Sequence, residues 1–463
     1  MAESAVRPST GEDLLSLATG IVAQALAAGA ADAEVTIRAG DEFSTVVRMG
    51  EVETLKESGS RGVGLRVLLE ADNGYRVAST SSSDFTTEGI DHLVRGAVAL
   101  AQVASVDPFA GLPDLAEFGR LSGDLALYDD DVYSLPTAER IAWARRAEAA
   151  ALSADTRLIN SDGAGFDAAT GRRVFANSRG FTGEYRSSYA AISVSPIAQG
   201  SRGEMQRDYW WSQARSLRGL DSPESVGQEA ARRTLRMLDA RRVPTQQVPV
   251  VFAPEVARGI VGAVFDAASG DAIYRGASIF AGKLGETIAH PSVAVVDDGT
   301  IPGGFGTSPF DAEGLPSRRT VLLERGVLRS YILNTYTGRK LGMKSTGNAS
   351  RGLAGNPYIG SGNLYLEAGP QPAEEIIRGV ERGLYVTRLM GQGVNLVTGD
   401  YSRGAAGLWI ENGQLAFPVQ EITIAGNLKE MLRNITAIGS DLVFRSAAAA
   451  PTLRIDGMTI AGE

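Results

Sequence analysis

The residues that most often carry enzyme chemistry are scarce in this chain, which has two histidines, His92 and His290, and no cysteine. Without cysteine there is no thiolate nucleophile, disulfide, iron-sulfur cluster or cysteine-ligated zinc, and two histidines make a serine triad or a histidine-ligated metal hard to build. His92 falls in a helical stretch, and His290 precedes Pro291 in a loop with no metal partner nearby in sequence, so both read as surface or packing residues. Lys344-Ser345-Thr346-Gly347 approaches the Lys-Thr-Gly element of penicillin-recognising serine enzymes, but no Ser-x-x-Lys supplies the nucleophile and its base. The overlapping Gly338 to Ser345 has the wrong spacing for a phosphate loop, and Gly391-x-Gly393 leads into a strand-like run instead of a helix, so neither nucleotide fingerprint is present. Asp297-Asp298-Gly299, following the strand-like Ser292 to Val296, reads as a turn in preference to a paired acid and base.

The elements that would position any site follow from the hydrophobic pattern. At 463 residues the chain is long enough for two or three domains, and its formal charge of -9 argues against a phosphate-tracking surface, so neither DNA nor RNA is expected as a partner. The paired arginines Arg145-Arg146, Arg232-Arg233 and Arg318-Arg319 are flanked by acids and read as solvated faces. Leu14 to Ala28 is preceded by Glu12 and Asp13, acids where a secretory signal needs positive charge. It reads as a helix with a Ser9 to Glu12 capping box, and no run is long enough to span a membrane, which makes the cytoplasm the expected compartment.

Alternating strands then follow, with turns expected at Met49-Gly50, Ser58-Gly59-Ser60 and Asp72-Asn73-Gly74, and a helix over Asp84 to Val103 closes the unit. Asp107 to Ser134 reads as a linker, and its run Asp129-Asp130-Asp131 lacks calcium-loop spacing and is expected to be solvated. The order helix, meander, helix recurs from Thr137 to Leu238. The expected architecture is α+β, with an amino-terminal domain over 1–242 made of units 1–106 and 135–242. A β-rich, barrel-like carboxy-terminal domain over 243–463 opens with a strand at Val248 to Ala253 and a helix at Glu255 to Ala268. Hairpins are expected at Glu324-Arg325-Gly326 and Glu411-Asn412-Gly413.

Several segments resemble the TldD/PmbA family of peptide-maturation proteins: Val293 to Thr300, Ser317 to Gly326, Met343 to Asn348, Gly404 to Gly413, Pro451 to Thr459, and Asp32 to Arg66 near the amino terminus. The resemblance implies a two-subunit zinc peptidase in which one subunit carries a His-Glu-x-x-x-His helix and a later cysteine. Aligned on Gly270-Asp271, the two histidines and the glutamate fall on Val261, Asp266 and Gly262 of this chain, and the cysteine-bearing loop falls between Asp441 and Pro451, which holds no cysteine. Valine has no lone pair and glycine no side chain, so this chain is expected to hold no metal of its own and to have no catalytic residues, with zinc in the partner. By resemblance it is the TldE or PmbA type of subunit, partnered by a TldD-like metalloprotease chain and handling unfolded peptides. A homodimeric peptide-binding scaffold without proteolytic activity is the alternative, and the peptide-contacting residues are left open.

Overall fold

The computed structural model describes residues 13–391 and 393–462. The Ser9 to Glu12 capping box lies outside them. Helix α1 (Leu14–Ala27) is capped instead by Asp13, whose side chain accepts from the Ser16 amide at 3.0 Å. The amino-terminal half continues with β1 (Asp32–Arg48), β2 (Glu51–Ala71), β3 (Gly74–Ser82), α2 (Thr87–Val103), β4 (Val106–Asp107), α3 (Thr137–Leu152), β5 (Leu158–Asn177), β6 (Thr182–Gln199), β7 (Met205–Arg207), β8 (Trp210–Ala214) and α4 (Pro223–Leu235). Its strands form one antiparallel sheet in the order β4-β3-β2-β1-β5-β6-β7, with β8 also on β6.

The two helix-meander-helix units share this sheet, because β1 of the first pairs with β5 of the second from Glu34 to Val47. Strand alternation decides which face is covered. Ala33, Val35 and Ile37 join the core under α1 and α2, while Phe43 and Val47, of the same parity, join the core under α3 and α4. The opposite parity puts Glu34 and Thr36 towards the carboxy-terminal half.

Two sequence expectations fail here. Ser58-Gly59-Ser60 makes no turn. It runs inside β2, paired residue for residue with Glu42, Asp41 and Gly40, because the long β1 offers a continuous ladder. The turn at Met49-Gly50 does form, with φ of 50° and 81°. The acidic run is also less solvated than expected: Asp131 accepts from the Leu217 amide at 2.9 Å, and Asp129 pairs with Arg218, which ties the linker to the turn between β8 and α4.

The carboxy-terminal half contains β9 (Gln246–Phe252), α5 (Pro254–Ala268), α6 (Gly270–Tyr274), β10 (Val295–Asp298), β11 (Arg319–Glu324), β12 (Val327–Leu328), α7 (Thr335–Leu341), β13 (Ala349–Ser350), β14 (Tyr358–Ile359), β15 (Asn363–Leu366), α8 (Ala373–Arg378), β16 (Arg382–Met390), β17 (Asp400–Glu411), β18 (Gln414–Asn427), α9 (Leu428–Arg433), β19 (Ile435–Ile438), β20 (Ala448–Ala449) and β21 (Leu453–Ala461). Strands run β18-β17-β16-β9-β21, and β21 pairs back to β18, which closes a five-stranded barrel as the glycine-rich pattern suggested. The hairpin turns at Arg325-Gly326 and Asn412-Gly413 both have positive φ at each residue.

The halves are held together by buried charge. Arg351, 2% exposed, donates to Glu34 Oε2 at 3.0 Å and to Thr36 Oγ1 at 3.0 Å, and Arg66 reaches the same Glu34 oxygen at 2.6 Å. Gly64 is the contact beneath: a Cβ there would lie 1.6 Å from the Leu353 carbonyl oxygen, so only glycine lets the chain cross this closely.

Candidate functional site

Helix α5 starts directly from β9, with Pro254 at its first turn, where a missing amide proton costs nothing. Its core face is Ala257, Ile260, Val261, Val264, Phe265 and Ala268. The opposite face carries Glu255, Gly259, Gly262 and Asp266, four positions on one stripe of a 3.6-residue repeat. The structure therefore separates the three residues singled out from sequence. Val261 is 2% exposed in the core. Gly262 faces open space, with nothing within 4 Å of where a Cβ would stand. Asp266 lies at the surface, and the protein around it raises its carboxyl above the ordinary range by desolvation.

These residues do not fit a zinc ion. One apolar side chain in the core, one glycine and one carboxylate cannot form a three-ligand site. Among the described residues, no three His, Cys, Asp or Glu side chains converge as a metal cluster. His92 is exposed, and exposed His290 exchanges hydrogen bonds with Ser292 through Nδ1.

A cleft of about 270 Å³ opens at the amino-terminal end of the polar stripe. Its walls come from both halves: Asp208, Tyr209 and Trp211 around β8 and Arg233 of α4, facing Glu255, Arg258 and Gly259 of α5, Arg388 of β16 and Arg403 of β17. Arg233 is 8% exposed, pairs with Glu255 at 2.6 Å and Glu229 at 2.9 Å, and lies 3.9 Å over the Trp210 ring. It is not the solvated residue that its neighbours in sequence suggested. Arg258 donates to Ser446 Oγ at 3.1 Å and Arg388 to the Arg207 carbonyl at 3.0 Å. Tyr401, 2% exposed, has its hydroxyl pushed up to about 12 by burial, with the nearby Arg403 guanidinium acting the other way; their geometry falls short of a hydrogen bond. Segment 442–450, where the resemblance would put a cysteine loop, is fixed across α5 by Ser446 and by the Arg445 carbonyl, which accepts from Gln213 Nε2 at 2.7 Å.

A smaller polar cleft of about 110 Å³ lies beside Asp297, Ser308, Ser317 and Asn348. Asp297-Asp298 does lead into a turn, in which Asp298 Oδ1 accepts from the Thr300 amide at 2.9 Å. Asp297 itself is 1% exposed, accepts from Asn348 Nδ2 at 2.6 Å, and is pushed up to about 6 by burial. Nothing in the local sequence signals that burial, since it depends on the β10 pairing with β11 and β15.

Models of three successive domains match this chain: PmbA/TldA metallopeptidase domain 1 over residues 33–101, the central domain over 130–238, and the C-terminal domain over 245–462. The chain belongs to the PmbA/TldD family. It is 38% identical to metalloprotease PmbA of Escherichia coli O157:H7, over 95% of this chain and 94% of that one, and 35% identical to the PmbA homologue of Haemophilus influenzae, over 93% and 92%. Among solved structures, a protein of Bacteroides thetaiotaomicron described as a candidate modulator of DNA gyrase superposes with a TM-score of 0.88 at 27% identity, covering 97% of this chain and 98% of that one. TldE of Thermococcus kodakarensis, at 20% identity, shares the fold with a TM-score of 0.84 over 96% and 99%. Within this PmbA/TldD chain, α5 keeps its place between barrel and cleft while its exposed face carries small and acidic side chains. Among the described residues, no helix is long and apolar enough to cross a membrane.

Proposed function

We propose that this chain is the non-catalytic subunit of a two-chain zinc metallopeptidase, pairing with a TldD-like chain and helping to enclose an unfolded peptide. The observation that carries the reading is α5: its frame is whole, yet positions 261, 262 and 266 hold a core valine, a glycine and a surface aspartate. Metallopeptidase chemistry needs ligands to hold the ion and a base to take the proton of its water, and this face offers neither set. Metal and base would therefore come from the partner. Trimming of peptide precursors and breakdown of unfolded chains are the roles this assignment implies, and the cytoplasm is the compartment that goes with them.

The test is a metal analysis and a peptide-cleavage assay on the purified chain, alone and mixed with the TldD-like chain of the same organism. No bound zinc, no cleavage alone and cleavage in the mixture are expected. Near-stoichiometric zinc or cleavage by the chain alone would overturn the assignment. Full activity of the TldD-like chain without this one would favour a separate, homodimeric peptide-binding role.

A further inference from the structure

The larger cleft concentrates positive charge on a chain whose formal net charge is -9. Four guanidiniums line it, those of Arg233, Arg258, Arg388 and Arg403, against two carboxylates, Asp208 and Glu255. Each carboxylate has one oxygen engaged within the protein: Glu255 Oε1 takes Arg233 at 2.6 Å, leaving Oε2 without a partner among the described residues, and Asp208 Oδ1 accepts from the Tyr209 amide at 2.9 Å. Among the described residues, no ion pair joins a carboxylate to Arg258, Arg388 or Arg403, whereas Arg233 and Arg445 each have one. The Nε groups of Arg388 and Arg403 are buried and meet no hydrogen-bond acceptor among the described residues. Buried guanidinium donors without acceptors are costly, and forked donors match a planar carboxylate.

We propose that this cleft binds a carboxylate of a peptide, with Arg258, Arg388 and Arg403 as its anchors. The peptide half of this statement rests on the function proposed above; the carboxylate half rests on the cleft alone. Gly259 forms the floor: a Cβ there would stand 3.6 Å from Arg403 Nη1, so the helix presents backbone and no side chain beneath the guanidiniums. Tyr209 and Trp211, stacked at 5.5 Å, form an aromatic wall, and the Tyr209 side chain is half exposed, giving the residue next to the carboxylate an apolar surface. The volume, about 270 Å³, falls just below the ~300–1,000 Å³ of sites for drug-sized ligands, which suits a chain end or an acidic side chain better than a long segment. Because the walls come from both halves, binding would also clamp α4 and β8 against the barrel.

The experiment is peptide binding to the purified full-length chain without any partner, followed through the fluorescence of Trp210 and Trp211 or the anisotropy of a labelled peptide. Four peptides of one sequence are compared: free or amidated at the carboxy terminus, each with acidic side chains or with their amides. Loss of about tenfold or more on amidation assigns the main-chain carboxylate, and the same loss on removing acidic side chains assigns those, the size expected for one charge-assisted contact. Arg403→Gln and Arg258→Gln, on different elements, should each produce a similar loss, and Arg403→Lys a smaller one, with melting curves confirming that the variants fold. Equal binding of all four peptides, or binding untouched in both glutamine variants, would overturn the carboxylate inference while leaving the cleavage test of the subunit assignment unaffected. Cleavage by this chain alone would overturn that assignment without changing the binding result.

Discussion

Removing the Arg351 guanidinium should loosen the two halves of the molecule by a predictable amount. Arg351 and Arg66 share Glu34 Oε2 at 3.0 and 2.6 Å, and all three side chains are buried. At an effective dielectric near 20, a pair at 3 Å interacts by about 5–6 kcal/mol before desolvation is subtracted. Breaking one side of such a pair costs about 3–5 kcal/mol, because the remaining charge stays buried. Arg351→Met leaves Glu34 paired with Arg66, so its cost should fall at the lower end, about 3 kcal/mol. Glu34→Gln strands two cations and should reach the upper end, about 5 kcal/mol. The two changes together should cost less than their sum, since they disrupt the same contact. Urea unfolding of the wild type, both single variants and the double variant measures all of this. A cost below about 1 kcal/mol for Arg351→Met would show that the pair is screened by water and would refute the reasoning, as would a smaller cost for Glu34→Gln than for Arg351→Met.

Three further outcomes are expected. Burial pushes Asp297 and Asp311 up to about 6 and Glu313 up to about 7. The folded state thus holds protons that the unfolded chain has already released above pH 4. The stability these groups contribute is fully present below that pH and is lost as pH rises through 6 to 7, so urea midpoints should fall from pH 5 to 8 and Asp297→Asn should flatten the fall; a rise over that window would contradict the sign. Gly262→Ala, at a helical position with open space before it, should raise stability by about 0.5–1 kcal/mol in thermal unfolding, and a loss would mean the face is occupied. Gly64→Ala, which would drive a methyl into the Leu353 carbonyl, should destabilise by about 1–3 kcal/mol, and an unchanged melting temperature would show that the segment beyond Arg351 can move aside.

Much of the fold was legible because its signals are local. The β9 to α5 passage announces itself through an apolar run, Pro254 and a helical repeat, and Met49-Gly50, Arg325-Gly326 and Asn412-Gly413 are turns whose φ values their residues favour. Ser58-Gly59-Ser60 carries the same composition but is overruled by the register of β1, a constraint that only pairing reveals. The candidate site was less legible. Arg233 and Glu255 are 22 residues apart and meet across the cleft through a single ion pair between α4 and α5, and the arginines of β16 and β17 reach the cleft from strands whose pattern reports only that they belong to a sheet. Asp297 reads locally as a turn residue, and its raised pKa comes from strands on either side.

The two faces of α5 place different demands on the fold. Val261 buries a methyl-rich side chain in the core, which adds to helix packing, whereas Gly262 and Asp266 face outward and contribute little to the core. The cleft is different, because Arg388 and Arg403 keep buried donors there that no acidic side chain among the described residues satisfies. Such an arrangement adds nothing to folding by itself and persists more easily if something anionic completes it. The walls that hold it depend on the docking of the two halves, to which the Glu34, Arg66 and Arg351 cluster also contributes. A variant that weakens that docking should therefore weaken anion binding without touching any arginine of the cleft.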